Sequence, residues 1–357
     1  MTATTTPTPT IDESRLEEFL GQAVVDLAAA ESAALCYIGD RLGLYRALAT
    51  ADSMTAAELA EATGTNERLV LEWLRNQTAG GYVEHRDGRF TLPPEQAAVL
   101  ADSTSTAFLG GAFEIIASVW ADTGAVEAAF RGDGGLSWGA HDHRLYHGVE
   151  RFFAPAYRAN LVSTWLPALD GVVERLQAGA TVADVGCGYG VSTVLLAQTF
   201  PSSQFVGSDV HAGSIEAARV RAEQAGVADR VRFEVLHAGD LPAAGYDLVC
   251  IFDALHDMGD PVAAVAAARR ALLPGGTLMV VEPRAGDDLD QNINPVGRMF
   301  YDGSTFLCTP SALSQGGGYA LGAQAGPAAI TEVLHAGGFD HVRVAIETPF
   351  NTVFEAR

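Results

Sequence analysis

The hydrophobic pattern changes period at residue 181 and keeps the new rhythm almost to the end of the chain. Short apolar runs recur: TVADVG, QFVGSD, VRFEVLHAGD, YDLVCIFDAL and TLMVVEP. Between them lie segments of helical spacing at residues 191–199, 212–225 and 261–273, the last followed by a PGG turn. Short apolar runs alternating with helices predict strands of a parallel sheet covered on both faces. The closing segment HVRVAIETPFNTVFEAR departs from this alternation. It reads as two strands around a turn at residues 348–351, an antiparallel hairpin at the edge of an α/β sheet.

The first strand-to-helix turn carries the chemistry. It reads VADVGCGYGVS, with Asp184, Gly186, Gly188 and Gly190. A dinucleotide fingerprint spaces its glycines G-x-G-x-x-G, whereas here they run G-x-G-x-G and Val191 follows. Asp184 would repel a pyrophosphate but suits a ligand bearing an amine or sulfonium cation. The glycines let the backbone approach such a ligand closely. Asp209 ends the second strand, with Val210 beside it, where a carboxylate accepts hydrogen bonds from both ribose hydroxyls. Gly239 and Asp240 end the third strand, within reach of an adenine amino group, and Phe252 closes the fourth. Acids at successive strand ends fit a nucleoside without phosphate.

This set, D-x-G-x-G-x-G with Asp209 and Asp240, resembles the class I methyltransferases over about residues 150–357. The resemblance implies a Rossmann-like sheet, S-adenosyl-L-methionine (SAM) as cofactor and S-adenosyl-L-homocysteine (SAH) as product. The fourth strand continues into IFDALHDMGDP, which is similar to the His-Asp stretch of small-molecule O-methyltransferases that carry an N-terminal winged-helix dimerisation domain. In those enzymes the histidine is the general base, and the matching residue is His256. A neutral imidazole near pH 7 suits the removal of a proton from a phenol or carboxylic acid. Asp257 would orient the ring or cap the next helix. Glu282, ending the fifth strand in VVEP, would lie near the base. The family has an aromatic residue after His-Asp, where this chain has Met258, which leaves the acceptor open: a hydroxyl or carboxyl of a specialised metabolite, or alternatively nitrogen or carbon, with a metal held by His256, Asp257 and another histidine such as His335 or His341. No metal is assigned. Arg298, Met299 and Tyr301 are expected on a lid helix over the substrate, followed by a mobile loop at residues 316–322. This part resembles the winged-helix methyltransferases of actinobacteria more than the plant-type O-methyltransferases.

The N-terminal part has another organisation. Residues 14–48 hold apolar positions near a 3.6 period, and two short helices follow, capped by Ser53 or Thr55 and by Asn66. Strands at 82–85 and 89–92, joined by Asp87-Gly88, complete a winged helix. A DNA reader needs cations clustered on its recognition helix. That helix, NERLVLEWLRNQ, balances Arg68 and Arg75 against Glu67 and Glu72. The winged helix is therefore read as a packing and homodimerisation module rather than part of a SAM-binding regulator. Residues 103–169 are mostly helical and aromatic, and supply pocket candidates such as Phe153 and Tyr157. The histidines of HDHRLYH, at 141, 143 and 147, are read as a solvated loop. The expected domains are a disordered tail at 1–13, the winged helix at 14–100, a helical linker and pocket region at 101–170, and the SAM-binding domain at 171–357.

Composition narrows the partners. The formal charge is −22, and all 22 cationic side chains are arginine. So acidic a surface disfavours nucleic acid. The four cysteines are scattered without a C-x-x-C pair and read as reduced thiols. No uninterrupted apolar run approaches a membrane span and the first residues lack a secretory pattern, so a cytoplasmic enzyme is expected.

Overall fold

The computed structural model describes residues 11–132, 134–243 and 245–357. The expected tail therefore lies mostly outside the described residues. The chain divides into two compact units, the second starting at Ala117.

In the first unit, α1 (Glu13–Arg41) and α2 (Leu44–Leu48) break at Gly43, whose φ of 73° ends the long helix. Helices α3 (Ala56–Thr63) and α4 (Glu67–Ala79) start at the expected caps: Thr55 forms a capping box with Glu58, and Asn66 accepts from the Leu69 amide. Strands β1 (Glu84–Arg86) and β2 (Arg89–Thr91) are shorter than predicted, and Asp87 and Gly88 at positive φ make the tight turn. Helix α5 (Pro94–Leu100) follows. Leu48, Leu59, Trp73, Leu74 and Phe90 pack the core of this winged helix. On α4, Arg68 and Arg75 both pair with Glu72, so its cations are internally balanced. By length and composition α1 is the one helix among the described residues that could cross a membrane, although Asp26 and Glu31 interrupt it. Leu16, Phe19, Leu20, Val24, Val25 and Leu27 on this helix are all exposed.

Helix α6 (Gly110–Phe130) crosses the unit boundary. The second unit then contains α7 (Arg144–Asn160), α8 (Val172–Ala178), β3 (Thr181–Val185), α9 (Val191–Thr199), β4 (Gln204–Asp209), α10 (Ala212–Gln224), β5 (Val231–Val235), β6 (Tyr246–Phe252), α11 (Pro261–Ala271), β7 (Leu272–Pro283), α12 (Pro295–Gly303), α13 (Thr309–Ser314), α14 (Pro327–Ala336), β8 (Val342–Glu347) and β9 (Asn351–Ala356). The seven-stranded sheet has the order β5-β4-β3-β6-β7-β9-β8. It is parallel except for β9, antiparallel to both neighbours, as the sequence predicts. The PGG segment is not a separate turn; it lies inside β7, beside a register shift opposite Tyr246 and Leu248.

Alternation along the strands builds two cores. Leu248, Cys250 and Phe252 face one side of the sheet, with Val182, Met279 and Val353. Val249 and Ile251 face the other, with Ala183, Val280 and Phe354. Both faces are buried under helices, as parallel sheets require. The connections run outward from β3 on one side and from β6 on the other. The crevice between these strand ends is the switch point where such sheets bind ligands.

Candidate functional site

A cavity of about 1110 Å³, counting its open mouth, lies at this switch point. Its floor runs across the sheet, from Leu236, His237 and Ala238 after β5, through Asp209 and Val210 after β4 and the glycine loop after β3, to Phe252, Asp253 and Ala254 at β6. Trp138, Tyr146, Phe153 and Tyr157 form an aromatic wall on the far side.

Backbone sterics shape the loop. Gly186 has φ of 75°, and a β-carbon there would stand 2.8 Å from Cβ of Ala254. Gly190 has φ of 73°, and its β-carbon would meet the Phe233 ring at 2.7 Å. Only glycine serves at such positions. Asp184 is 1 % exposed and does not line the cavity. Its Oδ2 accepts hydrogen bonds from Ser192 Oγ and Thr193 Oγ1, both at 2.6 Å, which ties the strand to the first turn of α9. Its Oδ1 is buried without a hydrogen-bond partner. Burial outweighs the two hydroxyls and pushes this carboxyl up to about 6. Its place is thus beneath the loop, shaping it.

Asp209 does line the cavity. Its Oδ2 accepts from the Gly188 amide at 3.0 Å and its Oδ1 from the His211 amide at 2.8 Å. Burial raises its pKa, while these amides pull it down. Each oxygen keeps a lone pair for a further donor. Gly239 and Asp240 form a short turn behind His237 and are not on the wall, and Asp240 is exposed. The third strand ends sooner than the sequence suggests, so His237 stands where Asp240 was expected.

At β6 the sequence reading missed an acid. Asp253 has φ of 48°, rare for a residue with a side chain. Tyr157 Oη donates to its Oδ2 and Asn351 Nδ2 to its Oδ1, each at 3.0 Å. Burial, reinforced by Glu282, pushes it up to about 8, against the pull of His256 and the Tyr157 hydrogen bond. The signal was present: Asp253 ends a strand, as Asp184 and Asp209 do, in the same IFDALHD stretch.

His256, Asp257 and Glu282 come together. His256 Nδ1 bonds Glu282 Oε2, and Glu282 Oε1 accepts from the Leu255 amide at 3.1 Å. His256 Nε2 stands 3.3 Å from Asp257 Oδ1. Asp257 lines the cavity, whereas His256 is only 4 % exposed and does not. Burial alone would lower the imidazole pKa, but the carboxylates of Glu282 and Asp257 outweigh it and raise it well above the usual value. These surroundings favour the imidazolium over the neutral imidazole expected from the sequence. Cys308 joins the cluster, and the donor atoms of His256, Asp257 and Cys308 lie within 4.8 Å of one another, a set able to hold a metal ion.

The remaining candidates divide. Phe153 and Tyr157 are on the wall, but Arg298, Met299 and Tyr301 on α12 are not. The edge beyond β6 is made instead by Ser311 and Gln315, whose Nε2 donates to the Asp257 carbonyl at 2.8 Å. His141 is not solvated. Its side chain is fully buried, with Nδ1 2.9 Å from Asp122 Oδ2, while His143 is exposed.

The cavity fits SAM. Its glycine loop leaves room for a ligand backbone, Asp209 offers two acceptor sites for a diol, and among the described residues no arginine lines a wall that includes Asp209, Asp253 and Asp257. The comparisons agree. Residues 176–326 match the family described as Methyltransferase domain, and residues 30–102 the Rv2258c-like winged HTH domain. The 27-O-demethylrifamycin SV methyltransferase of Amycolatopsis mediterranei is 34 % identical over 34 % of this chain and 48 % of its own length. The chain thus spans at most about half of the curated relatives it matches. A putative O-methyltransferase from Nostoc punctiforme has the same fold, with a TM-score of 0.69, 19 % identity, and 98 % and 99 % of the two chains covered. PigF, solved with SAH, gives 0.69 at 19 % identity over 94 % and 98 %. Residues 176–326 thus carry a methyltransferase domain and residues 30–102 a winged helix of the Rv2258c-like type, on a fold shared with solved methyltransferases.

Proposed function

We propose that the protein transfers the methyl group of SAM to an oxygen, a hydroxyl or carboxyl, of a flat apolar small molecule. The observation that carries this reading is the array Glu282–His256–Asp257, which opens on the cavity through Asp257. SAM supplies an electrophilic methyl on a sulfonium, which is displaced in line. The chain's part is to align the acceptor oxygen and take its proton, and alignment alone supplies much of such a rate.

His256 and Asp257 are coupled, each charge shifting the other's titration. Asp257 is the member on the wall, and its buried Oδ1 has no hydrogen-bond partner. It receives the acceptor's proton or relays it to His256, while Glu282 fixes the imidazole through Nδ1. His256 thus acts as the general base from the centre of the array rather than at the wall, once the array has given up the imidazolium proton. The aromatic wall and Met258 select an apolar acceptor. The names of the similar proteins, methyltransferases of rifamycin and mitomycin among them, support a specialised metabolite. A second reading, metal-assisted transfer to carbon, draws on the His256, Asp257 and Cys308 set.

We place the protein in the cytoplasm as a homodimer, since the exposed apolar residues of α1 call for a cover. His256→Ala should leave SAM affinity within threefold and cut turnover by about 10²–10⁴-fold, the range of a lost general base. The readout is label transfer from methyl-labelled SAM to phenolic acceptors. Turnover within a few-fold of the parent would remove His256 from the mechanism.

A further inference from the structure

We propose that Asp253 is the counter-charge to the sulfonium and lets the protein distinguish SAM from its uncharged thioether product. The inference rests on the cofactor reading above and assigns a role within that site.

Position comes first. If the ribose lies on Asp209, the nucleoside occupies the β4–β5 end of the floor. The rest of the ligand must then run across β3 towards β6. The methyl group must also reach an oxygen whose proton goes to Asp257. The sulfur is therefore held between the glycine loop and the segment from Asp253 to Asp257. Asp253 is the acid on the cavity wall at that end of β6.

The side chain is built in place. The residue takes a left-handed backbone, with φ of 48°, at a strand end. Its amide donates to the Val281 carbonyl at 2.7 Å, holding the strained turn against β7. Such outliers persist where the surroundings enforce them, and they gather at ligand sites. Tyr157 from α7 and Asn351 from β9 grip one carboxylate oxygen each. Neither brings a full charge. The charged neighbours are Glu282 from β7 and Asp257, which disfavour an anion here, and His256, which favours one. With its carboxyl held up to about 8, Asp253 keeps a proton at neutral pH unless a cation stands beside it. A sulfonium removes the need for that proton, since an adjacent cation stabilises the carboxylate. SAM should therefore displace the proton, and SAH should not.

Asp253→Asn keeps the shape and both hydrogen-bonding positions but cannot become an anion. The experiment is titration calorimetry of parent and variant with SAM and with SAH at pH 7.5, in two buffers of different ionisation enthalpy. The parent is expected to release a substantial fraction of a proton with SAM and less with SAH. In the variant the extra proton release should vanish, SAM affinity should fall at least tenfold, and SAH affinity should stay within threefold. Equal losses for both ligands, or unchanged proton release, would overturn the role of Asp253. Failure of the parent to bind either ligand would instead overturn the cofactor reading on which it rests. Circular dichroism of the variant identifies a folding defect, and Asp253→Glu, which retains the charge, should in that case recover preference for SAM over SAH. An expanded carboxylate without that preference also counts against the proposal.

Discussion

Asp209→Ala tests the cofactor pose most directly. The carboxylate already spends one acceptor position on the Gly188 amide and one on the His211 amide. Its remaining lone pairs face the cavity, and the pose gives them the two ribose hydroxyls. A hydrogen bond to a charged group contributes about 1.5–3 kcal/mol. Two of them amount to about 3–6 kcal/mol, or about 10²–10⁴-fold in affinity. Much of the desolvation cost falls on the empty protein, because Asp209 is buried before any ligand arrives, as its raised pKa reflects. The loss should therefore approach this full range. The substitution also strips two amides of their acceptor, so the glycine loop loosens. Asp209→Asn separates the effects: its amide oxygen can still accept from Gly188, but its NH₂ opposes the His211 N–H. It should lose less affinity than alanine and still clearly weaken SAM. Calorimetry with SAM is the assay, with thermal melts run beside it. SAM affinity within threefold of the parent in a folded Asp209→Ala protein would refute the ribose assignment and with it the direction of the ligand along the floor.

Two further outcomes follow from the same loop and floor. Gly190→Ala imposes a β-carbon 2.7 Å from the Phe233 ring and 2.9 Å from Ala218 Cβ, at φ of 73°; it should cost about 2–4 kcal/mol, read as a lower denaturation midpoint, whereas Gly188→Ala, with nothing within 4 Å, should cost only about 1–2 kcal/mol of backbone strain. Asp184 and Asp253 are held up to about 6 and about 8, so the folded ligand-free protein keeps protons that the unfolded chain loses near the ordinary carboxyl range. Their contribution to stability is full below about pH 4 and is lost as pH rises through 6 for Asp184 and through 8 for Asp253. The difference in stability between parent and Asp253→Asn, measured by denaturant titration from pH 4 to 9, should narrow or change sign in that direction; a flat difference would show that Asp253 ionises normally.

The sheet was legible because a parallel strand buried on both faces must be apolar throughout and must be followed by a helix. That pattern survives in TVADVG and YDLVCIF without any knowledge of contacts. The winged helix was legible for a local reason: Thr55, Asn66 and Asp87-Gly88 dictate caps and a turn within a few residues of themselves. Side-chain direction was less accessible. Asp184 and Asp209 both end strands, yet only Asp209 reaches the cavity, because Ser192 and Thr193 draw Asp184 under the loop. Asp253 escaped notice since its two partners, Tyr157 and Asn351, lie 96 and 98 residues away. Asp240 was misplaced because β5 stops at Val235 and a short turn carries it outward. The lid expectation places Arg298, Met299 and Tyr301 on a helix, which they share as α12, but forming a helix does not say which part of the molecule it covers. Gln315 and Ser311 on the next helical segment form that edge instead.

The site's electrostatics explain why these acids occur together in a cavity that no arginine lines among the described residues. A floor carrying Asp209, Asp253 and Asp257, backed by buried Asp184 and Glu282, is hostile to phosphates. The empty protein lowers that cost with protons, on His256 and on the raised carboxyls. In the proposed reaction a positive charge disappears from sulfur as a proton leaves the acceptor oxygen. If the Glu282–His256–Asp257 array takes that proton, the cavity's net charge is the same before and after methyl transfer. Charge then shifts only within the cavity, where moving it out into water would add a reorganisation cost. The product is a neutral thioether facing Asp253, which has lost its counter-ion and takes a proton back. Turnover is thereby coupled to release: the same carboxylate that draws the charged cofactor in gives the uncharged product no reason to stay.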